Sequence, residues 1–467
     1  MATIVARPSP TAPADDAGFD AQACVIGAGP AGLAAAKALA DRGITFDWFE
    51  KGSMVGGLWR IDNDNGQVAA YRTLHLNSSR GTSQYPSDPM PDDWPDYPSH
   101  ELMAQYFQGF AERHDLLRRI TFHAEVTEVA PLPGPGNPGT HGWAVTTTAT
   151  GTRRYTHVLV ANGHHSTPRI PTFAGEFTGE SFHAHDYRDP GVFTDKDVVV
   201  VGVGNSGMDI ACDAAKLAHR VFLVTRRGVH VLPKYVFGRP VDTLGSPVMA
   251  YVPFAVERLA YEAILRLTTG RPQDRGLPKP DHRLLGAHPT VSAELYDRVG
   301  HGDVVMKPTI ERLEGDRIRF VDGSVEHADT LVWATGYDVA LPFLSPEVYD
   351  PAGNAMPLYQ RVVHPKRPGL FFIGFIQTVG SSIALFEHQG QWVGDLITGA
   401  AVLPTEAEMT DWIARDQAAL RTRYVRSERH TMQVDYWRYI RSMKQERARR
   451  PHPSIVDRVT APLAGLR

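Results

Sequence analysis

Cysteine is almost missing from this 467-residue chain: Cys24 and Cys212 are the only two, far apart in sequence. With no CxxC pair and no zinc-ligand spacing, a dithiol reductase, a structural zinc site and a disulfide framework are all excluded, and a reducing, cytoplasmic location is expected. Charge of one sign is also lacking. Lys and Arg total 48 against 52 Asp and Glu, a net of −4, which gives no long-range pull toward nucleic acid or anionic lipid. No apolar run is long enough to cross a bilayer. The nearest approach, GSPVMAYVPFAVERLAYEAILRLTTG, is broken by Glu257, Arg258, Glu262 and Arg266, so it predicts a partly buried helix with no membrane span. Residues 1–19 hold prolines but no apolar core of export-signal length, and read as a disordered tail. No recognisable nucleophile triad or metal-ligand motif is present.

Glycine, in contrast, is plentiful, with 42 residues, and it is placed with a pattern. AQACVIGAGPAGLAAAKALADRGITFDWFEK reads as strand, glycine turn, Ala-rich helix and second strand. Gly27 permits the tight turn, Gly29 lets the backbone approach a pyrophosphate, and Gly32 lets the helix pack on the strand. Glu50 ends the second strand, where a carboxylate accepts from ribose hydroxyls. The pattern recurs in DKDVVVVGVGNSGMDIACDAAKLAHRVFLVTRRG, with Gly202, Gly204 and Gly207 after an unbroken valine strand. Asn205 and Ser206 lie in that second turn, and Ser206 is placed to meet a pyrophosphate. Its second strand ends at Arg226 and Arg227, where the first copy has an acid. A guanidinium there suits a 2′-phosphate, although a solvated strand end would look the same. The first site therefore predicts FAD or NAD and the second NADPH, and two dinucleotides in one chain imply electron transfer between them.

FTGESFHAHDYRD, residues 177–189, holds a different pattern: Phe177, Gly179, His183 and Tyr187 spell FxGxxxHxxxY. On this motif and on nearly the whole chain, from about 21 to 451, the sequence resembles the flavin-containing monooxygenase family. The resemblance implies a linker between flavin and nicotinamide domains here, not a metal site. Ketone-oxygenating relatives usually carry Trp at the position of Tyr187. MVGGLWR, with Gly57, Leu58 and Trp59, is similar to the family's flavin-side GGxW segment. LHLNSSR places Asn77 where the family uses an Asn at the flavin edge, and Leu76 where Thr is more usual. By residue chemistry alone Asn77 is equally an Asx-turn. Ala334, Thr335, Gly336 and Tyr337 resemble the family's ATG-type interdomain strand, and Ala161-Asn162-Gly163 the comparable way out. Glu387, Gln389 and Trp392 fall at family-like spacing, with Gln389 as a cofactor-binding candidate. His164, His165, His183 and His185 read as polar groups at a domain seam.

The implied fold is α/β, two Rossmann-like dinucleotide-binding domains with the NADPH domain inserted into the FAD domain: residues 20–165 and 330–467 for FAD, and 166–329 for NADPH, with a helical insertion near 245–290 that roofs the substrate pocket. The implied chemistry is hydride transfer from NADPH to flavin, uptake of O2 as a 4a-hydroperoxide kept dry beside NADP+, and attack on the distal oxygen by an amine nitrogen or sulfide sulfur. Asn77 is the expected stabilising side chain. The alternatives are Baeyer–Villiger oxygenation of a ketone, oxidative decarboxylation of an indole-pyruvate-like acid, a plain NADPH oxidase or flavin reductase, and a flavin-binding redox sensor. The expected partners are the small nucleophile and O2, and a homodimer is the assembly common among relatives. Thr405 to Glu408 forms a T-x-x-E capping box that starts a helix. The ten Lys or Arg against three acids in residues 421–450 predict a solvated basic face, and PLPGPGNPG, residues 131–139, a turn-rich loop.

Overall fold

The computed structural model describes residues 18–134, 137–424 and 431–450, so the expected tail lies almost wholly outside the described residues. Two large sheets, one mixed and one parallel, organise the chain. The first runs, edge to edge, through Ile120–Thr121, Phe46–Phe49, Ala21–Ile26, Gly151–Val160, Asn137–Thr147 and Val126–Gly134, with Leu370–Phe372 also pairing Gly151–Val160. Its centre is parallel because each crossover carries a helix or a long excursion, whereas Val126–Gly134, Asn137–Thr147 and Gly151–Val160 meander antiparallel. The stretch expected as a loop therefore contributes to a strand: Pro131 pairs with Trp143 and Leu132 with Gly142, so proline is tolerated here at the edge of the sheet.

The second sheet is fully parallel, in the order Val304–Lys307, Arg220–Val224, Asp197–Val201, Thr330–Trp333 and Glu180–His183. The valine strand is buried at all five positions, as a central strand covered on both faces must be. Thr330–Trp333 belongs to this sheet, which moves the return to the first unit from residue 330 to the Ala334–Tyr337 stretch. The outgoing and returning chains meet there: Thr167–Pro168 pairs antiparallel with Tyr337–Asp338, and Arg169 Nε donates to Asp338 at 2.9 Å.

The expected insertion helix is Phe254–Thr268. Its Phe254, Tyr261 and Leu265 pack on Leu284 and Leu285. Glu257 and Glu262 are neutralised by Arg438 and Arg283, and Val256, Leu259 and Leu267 face solvent. No helix among the described residues is long and apolar enough to cross a membrane. The capping box is present, with Thr405 and Glu408 bonding reciprocally at the start of Glu406–Arg423. The C-terminal basic run is more than a solvated face: Arg423 pairs Asp435, Arg438 pairs Glu257, Arg447 pairs Asp395 and Arg449 pairs Glu446.

Asp197, Asp329 and His327 bring their ligand atoms together at one end of the second sheet. Asp197 is already engaged by the Arg220 guanidinium at 2.5 Å and by His219 and His327, and these hold its carboxyl well below the usual carboxylate range. The cluster reads as a strand-end ion-pair network. A carboxyl whose folded-state value is depressed contributes stability that is fully present above its unfolded value and is lost as the pH falls through its folded value. Asp197→Asn should therefore lower the melting temperature at neutral pH and converge with the wild type only in strong acid, as a thermal-melt series against pH would record.

Candidate functional site

The two glycine turns are built alike. Gly27 and Gly202 both adopt positive φ, +98° and +115°. A Cβ at Gly27 would stand 2.7 Å from the Ala161 carbonyl oxygen, and one at Gly202 would stand 2.3 Å from that of Ala334. The ANG and ATG segments thus pass over equivalent turns, which is the physical reason each turn needs glycine. Gly32 and Gly207 are the second requirement, since a Cβ on either would come within 2.0 Å of the turn's own carbonyl oxygen. The helices that follow, Pro30–Ala40 and Asn205–Ala214, begin at Gly29 and Gly204 with no side-chain cap. Their first-turn N–H groups are left for an anion, so both turns fit a dinucleotide pyrophosphate.

Around the first turn, Gly57, Leu58 and Trp59 form one short turn of helix, and a Cβ on Gly57 would lie 3.1 Å from Gly29 Cα, so this segment closes over the pyrophosphate position. Glu50 is buried, and its two oxygens accept from Ala28 N at 2.7 Å and Gly52 N at 2.9 Å. Oε1 also accepts from Asn65 Nδ2 at 3.5 Å, while Oε2 keeps a second lone pair, so the carboxylate pins the turn and retains capacity for a ribose hydroxyl.

Around the second turn the two arginines separate. Arg227 lies 3.6 Å from Asp281, while Arg226 is exposed with no ionic partner among the described residues. Asn205 accepts from Val291 N at 3.0 Å, which ties the turn to the insertion, and the Ser206 hydroxyl has no partner among the described residues.

The linker motif acts through hydrogen bonds and close packing. Gly179 is required because a Cβ would meet the Asp329 carbonyl oxygen at 2.6 Å, next to the Phe177 ring. His183 Nδ1 accepts from His185 N at 3.0 Å, so in the neutral ring the proton sits on Nε2, which donates to Gly336 O at 3.1 Å. Burial pushes the His183 imidazolium down and keeps that tautomer in place. Tyr337 lies against His183, His165 and His185, and Thr335 donates to Arg169 O. Tyr187 is buried and donates to Asp213 at 3.0 Å.

Asn77 sits in an irregular segment between Tyr71 and Arg80, half-buried, and its amide makes no hydrogen bond to the described residues. The Asx-turn reading is therefore not what the geometry gives. Leu76, in the place of the more usual Thr, is buried in the main core.

One family model, flavin-binding monooxygenase-like, matches residues 20–458. Human flavin-containing monooxygenase 5 is 34% identical over 429 residues, 88% of this chain and 80% of that protein. The chain belongs to the flavin-binding monooxygenase-like family. Among solved structures, S-allyl-L-cysteine S-oxygenase from Allium sativum is similar in fold, with a TM-score of 0.68, 22% identity and coverage of 95% of this chain and 91% of that one. A steroid monooxygenase bound to NADP gives a TM-score of 0.67, with 20% identity over 92% of this chain and 98% of that one. The protein is a flavin-dependent monooxygenase.

Within this monooxygenase, one expected cofactor residue has a different task. Gln389 is fully buried. Its carbonyl accepts from Gly374 N at 2.9 Å and its amide donates to Tyr439 at 2.7 Å, so it braces the core and has no surface left for a cofactor. Glu387 and Trp392 are likewise buried. Sequence reasoning missed three acids that meet the Asn77 segment: Asp209 and Asp213, four residues apart on the second glycine-turn helix, and Asp242 at the entrance to the insertion. Their acceptance from Tyr71, Thr73, Ser79 and Thr82 is visible only in three dimensions. Burial raises the Asp209 carboxyl to about 6 against the pull of the Tyr71 hydrogen bond and Lys234, and lowers the Lys234 ammonium. The i,i+4 spacing of the first pair was the one available sequence signal.

Proposed function

We propose that the site oxygenates sulfide sulfur and amine nitrogen, with Asn77 as the stabilising side chain and Arg226 as the reader of the NADPH 2′-phosphate. The observation that carries it is the Asn77 amide, which has no partner among the described residues and sits in a segment packed into the first unit's core at Leu76 and bonded to the second unit at Asp209 and Asp242. When bound, the flavin supplies the redox chemistry with NADPH and O2. The chain's own part is to hold both dinucleotides on uncapped helix starts, to keep the His183 proton on Nε2 toward Gly336, and to present an amide that nothing else occupies. The same reading assigns FAD to residues 20–165 and the chain after 334, and NADPH to 166–333, with the Phe254–Thr268 region roofing the substrate pocket. A cytoplasmic location is supported by two free, buried thiols, and a homodimer is the proposed assembly.

Product analysis with methyl phenyl sulfide, a tertiary amine, cyclohexanone and indole pyruvate tests the substrate class. Sulfoxide and N-oxide in step with NADPH consumption are expected. Lactone or decarboxylated acid as the main product would overturn the reading, and peroxide alone would reduce the enzyme to an oxidase.

Arg226→Ala should raise the KM for NADPH about 10- to 100-fold, the loss of one or two charge-assisted hydrogen bonds. NADH kinetics should stay unchanged. Arg227→Ala should do less, because Asp281 already engages that guanidinium. Equal effects of the two variants, or an equal loss with NADH, would remove Arg226 from the role.

A further inference from the structure

Because the Asn77 amide makes no hydrogen bond among the described residues, its place is inherited from the backbone on either side, and both sides are fastened to the second unit. Upstream, Tyr71 donates to Asp209 at 2.8 Å and Thr73 donates to Asp213, the same carboxylate that accepts from Tyr187. Downstream, a single oxygen of Asp242 accepts three donors: Ser79 N at 2.7 Å, Ser79 Oγ at 3.0 Å and Thr82 Oγ1. Asp242 lies in the turn Val241–Leu244, at the entrance to the insertion, and it has no ion pair among the described residues. Its other oxygen is buried without a partner. Among the described residues the carboxylate's hydrogen-bond partners all lie in the Ser79–Thr82 turn, two residues beyond Asn77, and Ser79 N and Oγ have no other acceptor there. The local anchors of the segment lead to the same place. Leu76 N and Arg80 N donate to Pro98 O and Asp96 O, but Asp96 accepts from Tyr235, and Tyr97 donates to Lys234 O.

The geometry points to Asp242 as a positioning residue that sets the place of Asn77 relative to the nicotinamide unit, which rests on the assignment of Asn77 as the stabilising side chain. Asp242 touches neither substrate nor cofactor in this role. It is a clasp from the entrance to the insertion onto the catalytic segment, and it makes productive oxygenation depend on the two units being closed on each other. Through a lever of two residues, a small shift at Ser79 displaces the Asn77 amide by a similar distance, and displacement of a reacting group by about 1 Å costs on the order of 10²-fold.

The test uses the FAD-loaded full-length enzyme with NADPH, O2 and methyl phenyl sulfide, and measures sulfoxide and hydrogen peroxide formed per NADPH. Asp242→Ala should lower sulfoxide per NADPH about tenfold or more, with peroxide rising to replace it, while the KM for NADPH stays within about twofold. Ser79→Ala combined with Thr82→Val, which removes two donors from the other side of the clasp, should reproduce the leak and serves if the Asp242 variant fails to fold. Asp242→Asn, which keeps an acceptor oxygen, should restore part of the coupling. The Asn77→Ala, Asp242→Ala double variant should leak no more than Asn77→Ala alone, because the two residues act through one group. Unchanged coupling in Asp242→Ala and in the Ser79, Thr82 pair, or additive leaks in the double variant, would overturn the proposal. If Asn77→Ala itself leaves coupling intact, the Asn77 assignment fails instead, and the two failures are told apart by that single variant.

Discussion

Asn77→Ala is expected to cut sulfoxide formed per NADPH on the order of 10²-fold, the loss typical of one preorganised donor in a water-excluded site. NADPH consumption should continue, with its electrons recovered as hydrogen peroxide. The reason lies in what the side chain does not do. It makes no hydrogen bond to its own backbone or to any described neighbour, so its truncation leaves no protein group unpaired. Stability should accordingly stay within about 0.5 kcal/mol, as for substitutions away from buried features. Parallel thermal melts and peroxide assays check both halves. A fall in stability with intact coupling would make Asn77 a structural turn residue, and Asn77→Asp should leak as well, because a carboxylate accepts where an amide donates.

The largest loss of stability is expected at a place remote from either glycine turn. Arg361 is 1% exposed, and its guanidinium lies 2.6 Å from Asp416 on the helix Glu406–Arg423. Gln360 and Arg361 both take left-handed backbone, with φ of +52° and +60°, a conformation that side-chain-bearing residues hold only when the surroundings fix it. Tyr439 donates to Gln360 O at 2.7 Å, Ser442 to Gln360 Oε1 at 2.9 Å, and Tyr359 to Glu446 at 2.7 Å, so the C-terminal helices supply that constraint. Asp416→Ala strands a buried guanidinium and should cost about 3–5 kcal/mol. Arg361→Met, which removes the charge and fills the space, should cost less, and the Arg361→Met, Asp416→Leu double variant should recover much of the loss. Denaturant midpoints for the three variants settle the order. An Asp416→Ala variant as stable as the wild type would show that solvent already compensates Arg361.

Gln389 belongs to this second region and shows how a sequence pattern misleads. Its spacing suggested a cofactor contact, yet it bridges Gly374 and Tyr439, the same tyrosine that holds Gln360. Nothing local distinguishes a glutamine that meets a cofactor from one that spans two buried partners, because the partners lie 15 and 50 residues away.

By itself the sequence determined the parts whose causes are local. A glycine where φ must be positive, a glycine where helix and strand approach within a van der Waals radius, a valine run covered on both faces and a capping box each rest on neighbours within one βαβ unit or one helical turn. Tertiary structure alone decided the rest: that Asp281 engages Arg227 while Arg226 has no ionic partner among the described residues, that Thr330–Trp333 joins the second sheet, and that basic residues of the C-terminal run pair inward. The same holds for Asp242, which fastens the Asn77 segment across a sequence separation of 163 residues. Such contacts join short polar side chains that look alike anywhere in a chain. Which of them meet is settled by how the two sheets pack, since the energy of any one pair is too small to leave a pattern in the residues around it.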